Sequence, residues 1–242
     1  MNALVVGGSS GIGLSIVLEL LHKKDVEQVY VVDKNPFLEE YANARIRFVQ
    51  FDLTQTNVAE VLSAMKDVRW LYITAGFGHL RYFQEYSDKY IRDSFFVNSI
   101  APICIIRHFY EQMLSQKQFY CGVMVSIAGR LNSPMFSIYS ATKAALSKFI
   151  EAVNVELEVQ GSANKILEVS PGVIDGTGFY GKSNEPGKTS ELAKEIISRT
   201  ENREMLYIPK YEEVFKDVIR RYNEDAHKFG IESYAYKQQR KK

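Results

Sequence analysis

Apolar residues recur along the chain in two rhythms. Short β-branched runs at residues 3–6, 28–32, 45–51, 70–74, 122–125 and 166–170 have the length and composition of strands. Among them, apolar positions return at helical spacing over 14–23, 57–65, 100–116 and 141–160. Strands alternating with amphipathic helices imply βαβ units and a parallel sheet covered on both faces. Right-handed crossovers leave few topologies, and the expected fold is a doubly wound parallel α/β sheet. No repeat or linker divides the 242 residues, so one domain is expected to span 1–242. A Gly/Ser/Pro-rich stretch at 172–187 follows a strand and precedes a helical pattern at 190–198. A long loop inside a compact domain reads as a lid, here about 175–200. A short strand at 205–208 and a helix at 212–222 follow, within a C-terminal extension of about 210–242. The last twenty residues, aromatic and polar, carry no assignable pattern.

Composition narrows the function classes. Apolar residues make up 46% and charged residues 24%, with a net charge of +1, so nothing marks a nucleic-acid or membrane-surface partner. The apolar run at 100–106 contains Pro102 and is too short to span a bilayer. The N-terminal run lacks the basic flank of a signal peptide, and the basic tail at 237–242 reads as solvated. Cys104 and Cys121 sit in apolar runs and are expected to be buried, reduced thiols of a cytoplasmic protein. Four scattered histidines give no metal-ligand spacing, so no metal is expected.

The first strand runs into Gly7-Gly8-Ser9-Ser10-Gly11-Ile12-Gly13, with a helix after it. Glycines there let the backbone turn tightly and approach a pyrophosphate, and the helix N-terminus offers free N–H groups to it. Asp33 ends the second strand, twenty positions after Gly13. A carboxylate there accepts from both ribose hydroxyls of adenosine and repels a 2′-phosphate, which favours NAD. The alternative is a turn-forming Asp before Asn35-Pro36, while Lys34 one step on suits NADP.

Ser126 ends the fifth strand, and Tyr139-Ser140-Ala141-Thr142-Lys143 begins thirteen positions later. Tyr139 and Lys143 are one helical turn apart and share a face. A cation beside a phenol favours phenolate, which makes Tyr139 a usable acid/base near neutral pH. Taken together, these residues resemble the classical short-chain dehydrogenase/reductase family, with its Rossmann-type fold, from residue 3 to about 174. The glycine loop looks like its cofactor loop, and Ala75-Gly76 match the end of its turn after the fourth strand. Asn98, Ser126, Tyr139 and Lys143 match its catalytic tetrad. Asp52 with Leu53 looks like the acid that meets the adenine, and Pro171-Gly172-Val173-Ile174 matches the motif near the nicotinamide.

The resemblance implies hydride transfer between NAD(H) and a carbonyl or secondary alcohol of a small molecule. Tyr139 would exchange the proton and Ser126 would steady the substrate oxygen. Lys143 would lower the Tyr139 pKa and hold the nicotinamide ribose, and Asn98 would hold a relay water. Thr177, one place later than usual, stands for the carboxamide ligand. It further implies a homodimer, through helices 100–116 and 141–160, or a homotetramer. Some positions depart from the pattern. Val6 replaces the usual Thr before the glycines, and Ile73-Thr74 replace two Asn. An NADP-dependent reductase of acyl or sugar ketones, and a dinucleotide sensor without catalysis, remain as alternatives. Outside these motifs, His79, Phe179 and Tyr180 are candidate substrate contacts. Arg130 reads as a surface ion pair, with an anionic substrate as the other option.

Overall fold

Seven parallel strands form a single sheet: β1 (Asn2–Val6), β2 (Gln28–Asp33), β3 (Ile46–Gln50), β4 (Val68–Ile73), β5 (Tyr120–Met124), β6 (Ile166–Val169) and β7 (Leu206–Tyr207). Their order across the sheet is β3-β2-β1-β4-β5-β6-β7, the doubly wound topology. This computed structural model describes residues 1–55, 58–177, 179 and 184–240. Asn57, the expected first residue of a helix, and Tyr180, a candidate substrate contact, lie outside them.

The strand period of two sorts the first strand between two cores. Leu4 and Val6 point into one, with apolar residues of α4 (Ala101–Leu114) and α5 (Ser137–Val159). Ala3 and Val5 point into the other, beneath α1 (Gly11–Leu20) and α6 (Pro186–Glu201). A short helix, α2 (Val58–Ser63), joins the first core, whereas the crossover from β2 to β3 has only a 3-10 turn at Glu39–Tyr41. Among the described residues, no helix is long and apolar enough to cross a membrane.

Several expectations change. The helix expected at 100–116 is preceded by α3 (Asp88–Phe95) and a π-turn over Phe96–Ile100. Helix α3 starts on Ser87, whose hydroxyl accepts the Tyr90 N–H; its eight residues bury only Ser94 fully, and its apolar face is the short, half-buried set Tyr90, Ile91 and Phe95. Cys104 is exposed, not buried. Residues 101, 105, 106, 109 and 113 form the inward face of α4, and position 104 falls off it. The second half of the expected lid is α6, a layer of the fold. It is tied to α1 by a 2.6 Å bond between the Ser15 and Thr189 hydroxyls and a 2.8 Å bond from Ser190 to Glu19.

The unassigned end of the chain is a helical hairpin, α7 (Lys216–Glu224) and α8 (Ala226–Arg240). Phe229, Gly230, Ser233 and Lys237 recur at helical spacing along one side of α8, and Gly230 is the buried member of that set. Gly230 lies against Asn132, whose side-chain amide donates to the Ala226 carbonyl at 2.6 Å.

Arg130 is not a surface pair. Its guanidinium donates twice to Glu168 Oε1, at 3.0 and 2.8 Å. Glu168 is 1% exposed and also accepts from Ser147 and Ser170. This network fixes the short turn Ile127–Gly129 that follows Ser126 to β6. Removing one partner of a buried ion pair strands the other charge. Arg130→Met is expected to cost about 3 kcal/mol in urea unfolding, and a second change, Glu168→Met, to recover most of it.

Candidate active site

The chain leaves β1 toward β2 on one side, and β4 starts the other half of the sheet. Carboxyl ends of neighbouring strands therefore part at this switch point. A cleft of about 1040 Å³ opens there. The turn at its floor depends on glycine. Gly7 has φ +87°, and a Cβ on Gly13 would stand 2.1 Å from the Gly7 carbonyl oxygen. The Thr74 hydroxyl lies 3.0 Å from the Gly7 carbonyl and 3.1 Å from that of Val6. A hydroxyl from β4's end thus ties down the turn, although Val6 has none to offer.

Gly7, Ser10, Gly11, Ile12 and Gly13 line the cleft, whereas Ser9 is buried behind it and donates its backbone N–H to Asp33 Oδ2 at 3.1 Å. The other Asp33 oxygen accepts the Asn35 N–H at 2.9 Å. The turn-forming role and an open face on the cleft therefore coexist, since a carboxylate has four acceptor positions. Asp52 and Leu53 line the same end; the Thr54 N–H bonded to Asp52 at 2.9 Å holds its carboxyl below the usual range. Gly11, at the start of α1, donates its N–H to Asn184 Oδ1 at 2.5 Å. A neutral oxygen from the β6–α6 connection thus sits at the helix terminus best suited to an anion.

At the far end, Ser126, Tyr139 and Lys143 line the cleft. Helix α5 begins at Ser137, so Tyr139 falls within its first turn, and its ring lies 4.5 Å from Phe136 and 5.3 Å from Phe179. Ser126 Oγ accepts the Ala128 N–H at 3.2 Å. Lys143 is 2% exposed; its ammonium donates to the Met124 carbonyl at 2.8 Å and stands 5.8 Å from the Tyr139 ring centre. Burial pushes its pKa down to about 7.

Asn98 is fully enclosed and does not line the cleft. Pro102 has no N–H for the carbonyl of residue 98, and the helix widens there into the π-turn that carries Asn98. Its amide clasps Phe77, accepting the N–H at 3.0 Å and donating to the carbonyl at 2.8 Å. Asn98 Oδ1 and Lys143 Nζ each lie 3.2 Å from the point where Gly76 would carry a Cβ, so both converge behind that bare backbone.

Ala75, Gly76, Pro171, Gly172, Ile174 and Thr177 line the cleft as well. Thr177 rests over Gly11, at the phosphate-like end, and its hydroxyl donates to the Ile174 carbonyl at 3.0 Å. His79 also lines the cleft, its ring nitrogen 3.2 Å from the Tyr90 hydroxyl. Sequence patterns do not single out Asn184 or Phe215; Thr74 reads there as a departure from the family pattern, and Lys237 as part of a solvated tail, whereas it is half-buried and lines the cleft. Only the residue types of Thr74 and Asn184, beside strand ends and glycines, offered a hint.

A dinucleotide suits this donor set. The helix terminus, the side-chain-free glycine floor and the Asp33 and Asp52 carboxylates occur in the order a pyrophosphate and an adenosine would need, with the phenol and ammonium at the opposite end.

Known proteins share this fold. The uncharacterized oxidoreductase TDA5 of Saccharomyces cerevisiae is 28% identical over 186 residues, covering 74% of this chain and 56% of that relative's length. A short-chain dehydrogenase/reductase from Burkholderia phymatum in complex with NAD superposes with a TM-score of 0.76 at 18% identity, covering 92% of each chain. A short-chain dehydrogenase from Burkholderia cenocepacia in complex with NADP gives a TM-score of 0.70 at 21% identity, covering 90% of this chain and 95% of that one. Residues 1–187 match the short chain dehydrogenase family, and the chain belongs to that family of oxidoreductases.

Proposed function

We propose that the chain interconverts a carbonyl and a secondary alcohol of a small molecule with NAD(H), using Tyr139, Ser126, Lys143 and Asn98. The bound nicotinamide supplies or accepts the hydride. The Tyr139 phenol gives its proton to the substrate oxygen on reduction and takes it back on oxidation. Ser126 donates a hydrogen bond to the same oxygen and steadies its developing charge. The Lys143 ammonium favours the phenolate form of Tyr139 and reaches toward the ribose. Asn98, clasped to Phe77, keeps the wall behind Lys143 in place and orders the route by which protons reach it.

One observation carries this reading. A desolvated ammonium stands beside a phenol at the end of a cleft whose other end is a glycine-floored helix terminus. Asp33 supports NAD over NADP, because a 2′-phosphate at this end would meet its charge. Family resemblance also supports a homodimer through α4 and α5, whose outward sides include the exposed Cys104 and Val155.

Tyr139→Phe is expected to lower kcat by at least about 100-fold on any ketone or alcohol that changes nicotinamide absorbance, with NAD affinity held within about threefold. Full activity in that variant removes Tyr139 from the mechanism. Asp33→Ala is expected to shift the NADH/NADPH ratio of binding constants toward NADPH by on the order of tenfold, read by cofactor fluorescence.

Lys143 also makes stability depend on pH. Its pKa is about 7 in the fold against an ordinary 10.5, so between these values the unfolded chain binds the extra proton. Stability therefore rises with pH across that window. Lys143→Met is expected to flatten this rise in Tm, and to raise Tm near neutral pH while abolishing turnover.

A further inference from the structure

The C-terminal hairpin closes the substrate end of the cleft. Phe215, just before α7, packs on Gly172, so close that a Cβ there would come within 2.5 Å of its ring. From α8, Phe229, Ser233 and Lys237 line the cleft. Lys237 Nζ donates to the Ser133 hydroxyl and, at 3.1 Å, to the Pro134 carbonyl. Both belong to the segment that runs through Phe136 into the first turn of α5, where Tyr139 stands.

The charges along the cleft are unevenly placed. Its carboxylates are Asp33, Asp52 and Asp93. Asp33 and Asp52 sit at the ends of β2 and β3, the adenosine side, and Asp93 is bonded to Lys89 at 2.6 Å. No carboxylate lines the Lys237 end, and among the described residues none lies within ion-pair distance of its ammonium. Arg81, stacked 5.4 Å from the Tyr90 ring, adds a second positive charge to that rim. The cation at 130 is already committed to Glu168. Phe136, Phe179, Phe215 and Phe229 give this end a large apolar surface, with Ser133 and Ser233 as neutral polar groups beside it.

We propose that Lys237 binds a carboxylate on the substrate, so that this chain acts on oxo or hydroxy acids with an otherwise apolar body. This rests on the proposed hydride-transfer reading and names the substrate class of the same site. Lys237 touches the far end of the substrate, not the reacting carbon, and sets specificity. Half-burial lowers its pKa to about 8. An ammonium held by two neutral oxygens keeps a third N–H to donate, and a carboxylate that enters its pocket brings the opposite charge to that bond.

The test uses the full chain in its complex with NAD+, which binds a ketone without turning it over. Short- and medium-chain oxo acids and their methyl esters are titrated by calorimetry into the wild type, Lys237→Gln and Lys237→Arg. The acids are expected to bind at least about tenfold tighter than the esters in the wild type. Lys237→Gln is expected to erase this preference without changing ester or NAD+ affinity, and Lys237→Arg to keep it. Acid and ester binding alike, neither binding, or a preference that survives in Lys237→Gln overturns the assignment while leaving the cofactor site standing. Failure of NAD+ itself to bind overturns the hydride-transfer reading, and this inference with it.

Discussion

Reversal of the strand order at β1 governs everything the cleft contains. Two neighbouring strands of a parallel sheet normally share one set of crossovers, and their carboxyl ends are covered. Here β1 feeds β2 to one side while β4 begins the opposite half, so the loops after β1 and β4 diverge and leave a gap. The gap exposes backbone that must be held by something other than a ladder. Gly7 donates to the Val32 carbonyl at 2.7 Å, and Thr74 and Ala75 donate their N–H groups to the Val6 carbonyl. The Thr74 hydroxyl adds a contact across the opening. The edge is thus rigid and nearly free of side chains, which is the condition for a flat cofactor to lie against it.

At the other end, rigidity serves a charge that the fold would otherwise reject. Lys143 is buried and faces no counter-ion among the described residues, and the Met124 carbonyl accepts its hydrogen bond. Burying an ammonium this way lowers stability, and a chain selected for stability alone would place an apolar residue there. The cost is tolerated because α5 is long and well packed. Leu146, Ile150 and Leu157 are buried on the same helix and hold the first turn against the sheet. The phenol and the ammonium therefore keep their spacing without bonding one another directly.

Much of this was legible in the sequence because the responsible residues act locally. The glycine loop announces itself through a strand, a turn and a helix in succession, and Tyr139 with Lys143 through one helical turn. Neither needs knowledge of distant contacts. Helix α3 and the π-turn were hidden for the opposite reason. The α3 segment is only eight residues long, with Tyr90, Ile91 and Phe95 as its whole apolar face, too short a pattern to stand out, and the π-turn follows from a proline four residues beyond the carbonyl it fails to serve. Arg130 reads as a surface residue because its partner lies 38 residues away on β6, a strand where an acid is not expected. Cys104 was misjudged because an apolar stretch was taken for an inward face without counting its period.

The two ends of the cleft differ in how the chain builds them, and this bears on how function varies within one fold. The cofactor end comes from strand termini and turns whose geometry permits few residue types. The substrate end is covered partly by α7 and α8, which are mostly exposed and owe little to the core. A hairpin that buries so few residues can change its lining without endangering the sheet. Gly172 under Phe215, Gly230 against Asn132 and Lys237 on Ser133 and Pro134 pin it; the other side chains that face the cleft are free to vary. On the proposed reading, specificity resides in the least constrained part of the molecule, where periodicity carries no signal and the placement of a single ammonium sets the preference.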